Sequence, residues 1–521
     1  YEDTDKINQI KQKLKRGESK KSIREQLKGS VDTEVIDSII TEAEKDQYKF
    51  WLKNDKGTIK IIPIDFKKFL QDNGFYKYCP EGSKNYVFVK VTSCYINHSN
   101  EKDIKDFLLK HLEDYEDESI YNYFADTTRF FREDYLNLLD TIEPFFIDDD
   151  KETSYLYFKN KAVKVTSDKV EAIAYDDLEG NVWQDQMIDR YYKECEYDEC
   201  YYQKFIKNIC NQDEQRTKTM ESTIGFLMHG HKSLSYCPAV ILNDEIISDN
   251  PEGGTGKGIF VNALGQMKKL VTIDGKAFAF EKSFPYQLVS ADTQILCFDD
   301  VKKYFEFERL FSVVTEGLTL EKKNKDAIKI PFKKSPKICI TTNYAIRGSG
   351  NSFARRKWEL ELYQHYNNSY TPQDEFGTLF FGDDWNSDEW CQFDNYMISC
   401  LQRYLKEGLM TSDFVNLKIR QLSAETCHDF VEWCGLLPGA SQNRKLCSNE
   451  RMWGNELYAD FIEEYPDYAP KAKMTISRNR FYKWLNSFSL HKYNEKIEEG
   501  RDERGKWIII HEKKNKDDLL F

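Results

Sequence analysis

The feature that most constrains this chain is an apolar strand that runs into a glycine-rich loop and then a helix. Residues 239–243 read as the strand, Asn250-Pro251-Glu252-Gly253-Gly254-Thr255-Gly256-Lys257-Gly258 as the loop, and a helix is predicted from Ile259. In this arrangement backbone N–H groups wrap phosphate oxygens, and glycines let the backbone approach closely. Lys257 is placed to neutralise β- and γ-phosphates. The general pattern is GxxxxGK[ST]; here Pro251 stands for its first glycine, and Gly258 for the hydroxyl residue that binds Mg²⁺. Gly253, Gly254, Thr255, Gly256, Lys257 and Gly258 are therefore the predicted nucleotide-binding residues.

The next strands along the chain fit the same chemistry. Ile295-Leu296-Cys297-Phe298 is a fully apolar strand that ends in Asp299-Asp300. Paired acids at a buried strand end are costly without a partner. Mg²⁺ with ATP would supply one, Asp299 holding the metal and Asp300 polarising the attacking water. A further strand, Ile338-Cys339-Ile340, ends in Thr341-Thr342-Asn343, and an Asn there orients the water and senses the γ-phosphate. Arg355 and Arg356 come within fifteen residues as candidates for a transition-state charge.

The rest of the chain divides by pattern. Residues 1–47 read as a helical unit, 48–185 as mixed α/β, 186–235 as helical, 236–415 as the nucleotide-binding α/β domain and 416–521 as a C-terminal domain. In the last, Phe481, Trp484, Leu485 and Phe488 fall on one helix face, and a hairpin ending near Ile510 comes after it, as in a winged-helix module. The run Asp148-Asp149-Asp150 invites a two-metal polymerase site, but no second carboxylate strand accompanies it, and a charge block is more simply a solvated loop. The 13 cysteines lack CxxC spacing and read as structural or incidental. No apolar run approaches the ~20 residues of a membrane span. A formal charge of −13 excludes a chain coated uniformly for nucleic acid, yet residues 321–337 hold seven lysines and two acids. The chain opens on Tyr1 rather than Met and is read as a piece of a longer polypeptide.

Gly253-Gly254-Thr255-Gly256-Lys257, Phe298-Asp299-Asp300-Val301, Thr315-Glu316-Gly317-Leu318, Thr341-Thr342-Asn343 and Phe353-Ala354-Arg355-Arg356 resemble the motifs of superfamily 3 helicases. More closely, 249–370 is similar to the helicase part of phage and mobile-element primase-helicases. The resemblance implies an AAA+ P-loop core with a parallel central sheet, followed by the winged-helix-like domain. It implies a DNA-translocating homo-hexamer that hydrolyses ATP between subunits in the cytoplasm of a host cell. Lys257, Asp299, Asp300 and Asn343 would serve one subunit, and Arg355 or Arg356 its neighbour. It also implies a hairpin gripping single-stranded DNA in the ring channel, here carrying Lys322, Lys323, Lys325, Lys329, Lys333 and Lys334. A primase or polymerase domain would lie upstream. Two other readings share the site: an AAA+ loader or packaging motor, and a non-catalytic DNA-binding scaffold with a decayed P-loop. Pro251 and Gly258 favour the scaffold; Asp299, Asp300, Asn343 and the arginines oppose it.

Overall fold

The computed structural model describes residues 49–512, apart from 114, 116, 197, 247–253, 283, 303–304, 322–326, 345, 347–350, 413–414, 438–442 and 444. The expected helical unit at 1–47, Gly253, Lys322, Lys323 and Lys325 lie outside the described residues. The chain divides into two units, residues 1–146 with 180–184, and residues 147–179 with 185–521. No helix among the described residues is long and apolar enough to cross a membrane.

The first unit is built on a five-stranded mixed sheet that includes the strand Val87–Thr92. Helices Pro63–Asp72 and Glu101–Leu112 cover one face through Phe66, Phe69, Ile104 and Leu108, all essentially fully buried. The helix Glu101–Leu112 starts where Asn100 caps two backbone N–H groups and Asp103 returns the bond, a reciprocal cap that fixes where a helix begins.

The second unit centres on a five-stranded parallel sheet. Its strands are β1 (Ala239–Asp244), β2 (Leu270–Asp274), β3 (Ile295–Val301), β6 (Lys337–Thr342) and β7 (Lys357–Leu362), in the order β2-β3-β6-β1-β7. Between β3 and β6 the chain makes a separate antiparallel hairpin, β4 (Gly317–Leu320) with β5 (Ile328–Pro331). The apolar runs arise because a parallel sheet is buried on both faces. Alternate residues serve opposite sides: Val240, Leu242, Ile295, Cys297 and Cys339 enter one core, and Ala239, Ile241, Leu296, Phe298 and Ile340 the other. On the first side lie α1 (Glu214–Met228), α2 (Lys257–Gly265) and α3 (Ser387–Glu407). Phe393, Met397 and Leu401, at helical spacing, form the buried face of α3. Helices α1 and α3 come very close at Gly225, where a Cβ would lie 2.2 Å from the Cys400 carbonyl oxygen.

The C-terminal part has its own core, in which Phe430, Trp433, Phe461, Phe481, Trp484 and Leu485 meet. It contains α4 (Val415–Glu425), β8 (Arg451–Trp453), α5 (Gly454–Glu464), α6 (Arg478–Tyr493) and the hairpin β9 (Glu498–Asp502) with β10 (Gly505–Ile509). These strands pair antiparallel in the order β8-β10-β9. The face of Phe481, Trp484, Leu485 and Phe488 is buried as its spacing requires.

The acidic triplet has a structural role. Asp149 accepts hydrogen bonds from Tyr155 N (2.8 Å), Gly230 N (2.6 Å) and the Ser154 hydroxyl. Asp150 accepts from Glu152 N and Thr153 N, both at 2.8 Å, and Asp148 pairs with Lys334. Their oxygens organise a turn.

Candidate functional site

In an open parallel sheet, ligands bind beyond the carboxyl ends of the strands, where the strand order reverses. Here that place is the end of β1, beside β6. The chain leaves β1 at Asp244 and re-enters α2 through Gly254, Thr255 and Gly256. Gly256 precedes the helix with φ of +102°, and a Cβ there would meet the Phe205 ring at 2.6 Å. Only glycine satisfies both the left-handed turn and the packing.

Lys257 opens α2, and its ammonium donates to the Asn343 amide oxygen (2.5 Å) at the end of β6 and to the Asp244 carboxylate at the end of β1. The Thr255 hydroxyl also donates to Asp244. Burial draws the Lys257 ammonium below the usual lysine range, and the adjacent Asp244 carboxylate opposes the shift. A lysine held in this way keeps its head group at the N-terminal end of the helix.

Asp299 and Asp300 lie two strands from β1, across β6. Thr341 links them: its hydroxyl donates to Asp299 Oδ1 (2.6 Å) and accepts from Asp300 N (2.7 Å). The pairing of β3 with β6 shifts register between Phe298 and Val301, and Asp300 takes φ of +53°, an uncommon conformation for a residue with a side chain. The bulge re-aims the Asp300 carboxylate, which forms an ion pair with Lys276 just past β2. Strained backbone of this type gathers at functional sites.

The fold therefore brings Lys257, Asp299, Asp300 and Asn343 to one edge of one sheet. Gly254 and Thr255 border the same end, and a Cβ on Gly258 would meet nothing within 4 Å. Arg355 and Arg356 are elsewhere. The carbonyl of Arg356 accepts from Ala239 N (2.8 Å), so both arginines sit where β1 begins, not where it ends. The six residues of β1, at roughly 3.3 Å each, put about 20 Å between those ends. Arg355 is exposed; Arg356 lies over the Phe311 ring at 4.5 Å and donates to Ser352 O at 2.9 Å. On the hairpin side Lys329 and Lys333 are exposed, and Lys334 is the partner of Asp148.

Three contributors were not identified from sequence. Asp244 is one residue past the predicted strand 239–243 and was legible as another strand-end acid. Thr341 stood inside the Thr-Thr-Asn motif without a role. Arg420 had no local signal. It is buried in α4, and its guanidinium donates to the carbonyls of Asn343 (3.3 Å), Ile246 (3.2 Å) and Asp244. It thereby ties the first helix of the C-terminal part to the ends of β1 and β6. Burial lowers the Arg420 pKa, opposed by the carboxylates of Glu361, Asp244 and Glu359.

A family model of unknown function, DUF5906, matches residues 250–356, from the glycine-rich loop to Arg356. No curated protein matches the chain. Among solved structures, the A-form apo structure of the NrS-1 C-terminal region, residues 305–718, has a TM-score of 0.39 at 12% identity, covering 86% of this chain and 99% of that one. A second A-form structure of that region gives 0.37 at 11%, covering 86% and 98%. Another apo structure of residues 305–718 gives 0.39 at 12%, covering 86% and 99%. At these scores the likeness assigns no activity.

Proposed function

We propose that the chain is the ATP-driven motor of a replicative DNA helicase of the superfamily 3, AAA+ type, working as a homo-hexameric ring. The observation that carries this reading is the meeting of Lys257, Asn343, Asp299 and Asp300 at the carboxyl ends of three neighbouring strands. Lys257 and the N–H groups that open α2 would receive the β- and γ-phosphates of ATP. Asp299, oriented by the Thr341 hydroxyl, would hold Mg²⁺, with Asp300 and Asn343 beside the attacking water. Mg²⁺ bound there would neutralise charge that develops on the phosphoryl oxygens. The donor set suits the ion, since Mg²⁺ takes oxygen ligands and keeps several waters.

The hairpin β4–β5 with exposed Lys329, and exposed Lys333 in the turn after it, supports a grip on single-stranded DNA in the ring channel. The remote position of Arg355 and Arg356 supports a site completed by a neighbouring subunit. The helices and three-stranded sheet of the C-terminal part support the winged-helix reading. The deciding measurement is Mg²⁺-dependent ATP hydrolysis by the full chain, with and without single-stranded DNA. Hydrolysis stimulated by the strand is the expected result; a chain that neither binds nor hydrolyses ATP would leave only the scaffold reading.

A further inference from the structure

The chain carries 13 cysteines, and a disulfide needs two sulfurs in contact together with an oxidant that can reach them. Two pairs of thiols touch among the described residues. Cys297 and Cys339 are register partners on β3 and β6 and hydrogen-bond to each other, but both are fully buried in the sheet. Cys195 and Cys391 hydrogen-bond as well, and both are partly exposed. The Asn395 amide nitrogen lies 3.2 Å from Cys195 Sγ and 3.8 Å from Cys391 Sγ, so one side chain of α3 touches both sulfurs.

The segment that carries Cys195 has no regular structure of its own: residues 191–196 and 198–200 form neither helix nor strand. Side chains from the first turns of α3 hold it instead. Lys193 O accepts from Cys391 Sγ (3.4 Å) and Asn395 Nδ2 (3.2 Å), and Glu196 O accepts from Gln392 Nε2 (2.7 Å). In return Asp198 N donates to Gln392 Oε1 (3.0 Å), and Tyr201 N to Glu389 Oε2 (3.1 Å). A strap held by such surface bonds opens readily, because water replaces each partner. It leads into the helix Tyr201–Ile209, whose Phe205 packs against Gly256 of the glycine-rich loop.

We propose that Cys195 and Cys391 are the two halves of a reversible disulfide that staples this strap to α3. Burial, and then the neighbouring Cys195 thiol, push the Cys391 thiol up to about 12. Cys391 therefore keeps its proton for the bond to Lys193 O, and Cys195 is the sulfur left to react first. With hydrogen peroxide as oxidant, the Cys195 sulfur takes one peroxide oxygen as a sulfenic acid while the other leaves as water. The Cys391 sulfur then displaces the sulfenic oxygen as a second water. Two S–H bonds and one O–O bond are lost, the S–S bond forms, and two electrons pass from sulfur to oxygen. A dithiol reverses the step by exchange. The staple involves no nucleotide, so its test stands or falls apart from the motor reading.

The test treats the full chain with hydrogen peroxide, blocks remaining thiols with N-ethylmaleimide, and maps unreduced peptides by mass spectrometry. Cys195→Ser and Cys391→Ser are carried alongside after thermal melts confirm folding. The expected result in the parent is a monomeric chain with a linked peptide joining Cys195 to Cys391, lost on adding dithiothreitol and missing from both variants. Cys297 and Cys339 should be recovered as thiols. Hydrogen exchange at the Asp198 and Tyr201 amides should be about tenfold slower or more in the oxidised parent, because the strap can no longer open, and should not change in either variant. Recovery of Cys195 and Cys391 unlinked, under treatment that oxidises the exposed Cys79, would overturn the proposal. So would a linked peptide found only in disulfide-joined dimers, or one that leaves exchange at Asp198 and Tyr201 unchanged.

Discussion

Lys257 bridges two strand ends, accepted by Asp244 from β1 and by Asn343 from β6. Replacing it with alanine removes the main side-chain contact of the proposed phosphate site and leaves the Asp244 carboxylate, among the described residues, only the Thr255 hydroxyl. ATP hydrolysis is expected to fall below detection in a steady-state phosphate-release assay; turnover within a few-fold of the parent would reject this loop as the nucleotide site. Gly258 differs in kind. A Cβ there meets nothing within 4 Å, and its φ is not in the left-handed range. Gly258→Ser or Gly258→Thr is therefore expected to fold normally and bind nucleotide, and to keep or raise hydrolysis by restoring the usual Mg²⁺ ligand. Loss of nucleotide binding, measured by titration of a fluorescent ATP analogue, would show that the backbone at Gly258 needs the close approach. Asp299, Asp300 and Asn343 were legible because they close apolar strands, where a change from apolar to polar is visible without a structure, and Lys257 and Gly258 because they close a glycine-rich loop. Arg420 was invisible for the opposite reason: it reaches the site from a helix that begins 72 residues after Asn343, and its partners are carbonyls, which leave no pattern in a sequence.

Elements carry a second layer of information. The alternation that splits β1, β3 and β6 between two cores was not readable from the runs themselves, because a strand buried on both faces is apolar throughout. The close contact of α1 with α3 was hidden too, since a helical glycine reads only as a weak helix former. Gly225→Ala tests that contact. The added methyl would stand 2.2 Å from the Cys400 carbonyl and 2.6 Å from the Tyr404 side chain, so the helices must separate. Overpacking of this sort costs about 1–3 kcal/mol, and a lowered melting temperature by calorimetry is the expected result. The lysine-rich stretch around β4–β5 was legible in composition, while the hairpin itself was an expectation from the resemblance alone. Its inner side chains Leu318, Leu320 and Ile330 are buried, which anchors the hairpin while Lys329 stays outside. Replacing Lys322, Lys323 and Lys325 with alanine should flatten the salt dependence of single-strand binding by about 0.7 for each phosphate set free. Basal ATP hydrolysis should stay near that of the parent. An unchanged salt slope would move the single-strand contact off this hairpin.

At the scale of the whole molecule, the position of the arginines bears most directly on the proposed ring. Sequence placed Arg355 and Arg356 shortly after Asn343 and so left open whether they act within their own chain. The structure puts them beside the first residue of β1, about one strand length, roughly 20 Å, from Lys257 at its other end. Neither side chain spans that distance, so an arginine that serves a nucleotide here must serve a neighbour's. The consequence is measurable. The alanine variant of the acting arginine should bind ATP as the parent does yet hydrolyse it slowly, by about 10³–10⁵-fold if it contributes as arginine fingers do elsewhere. Lys257→Ala should be inactive for the complementary reason. Mixed together, the two inactive proteins should recover activity, because some interfaces then join an intact Lys257 on one chain to an intact arginine on the next. Recovery should rise with the mixing ratio toward an optimum near equal amounts, since productive interfaces need one chain of each type. Mixed assembly, verified by co-purification of differently tagged chains, without any recovered hydrolysis would mean that Arg355 and Arg356 do not complete the site across subunits. The geometry of a single chain would then leave them no route to the nucleotide at all.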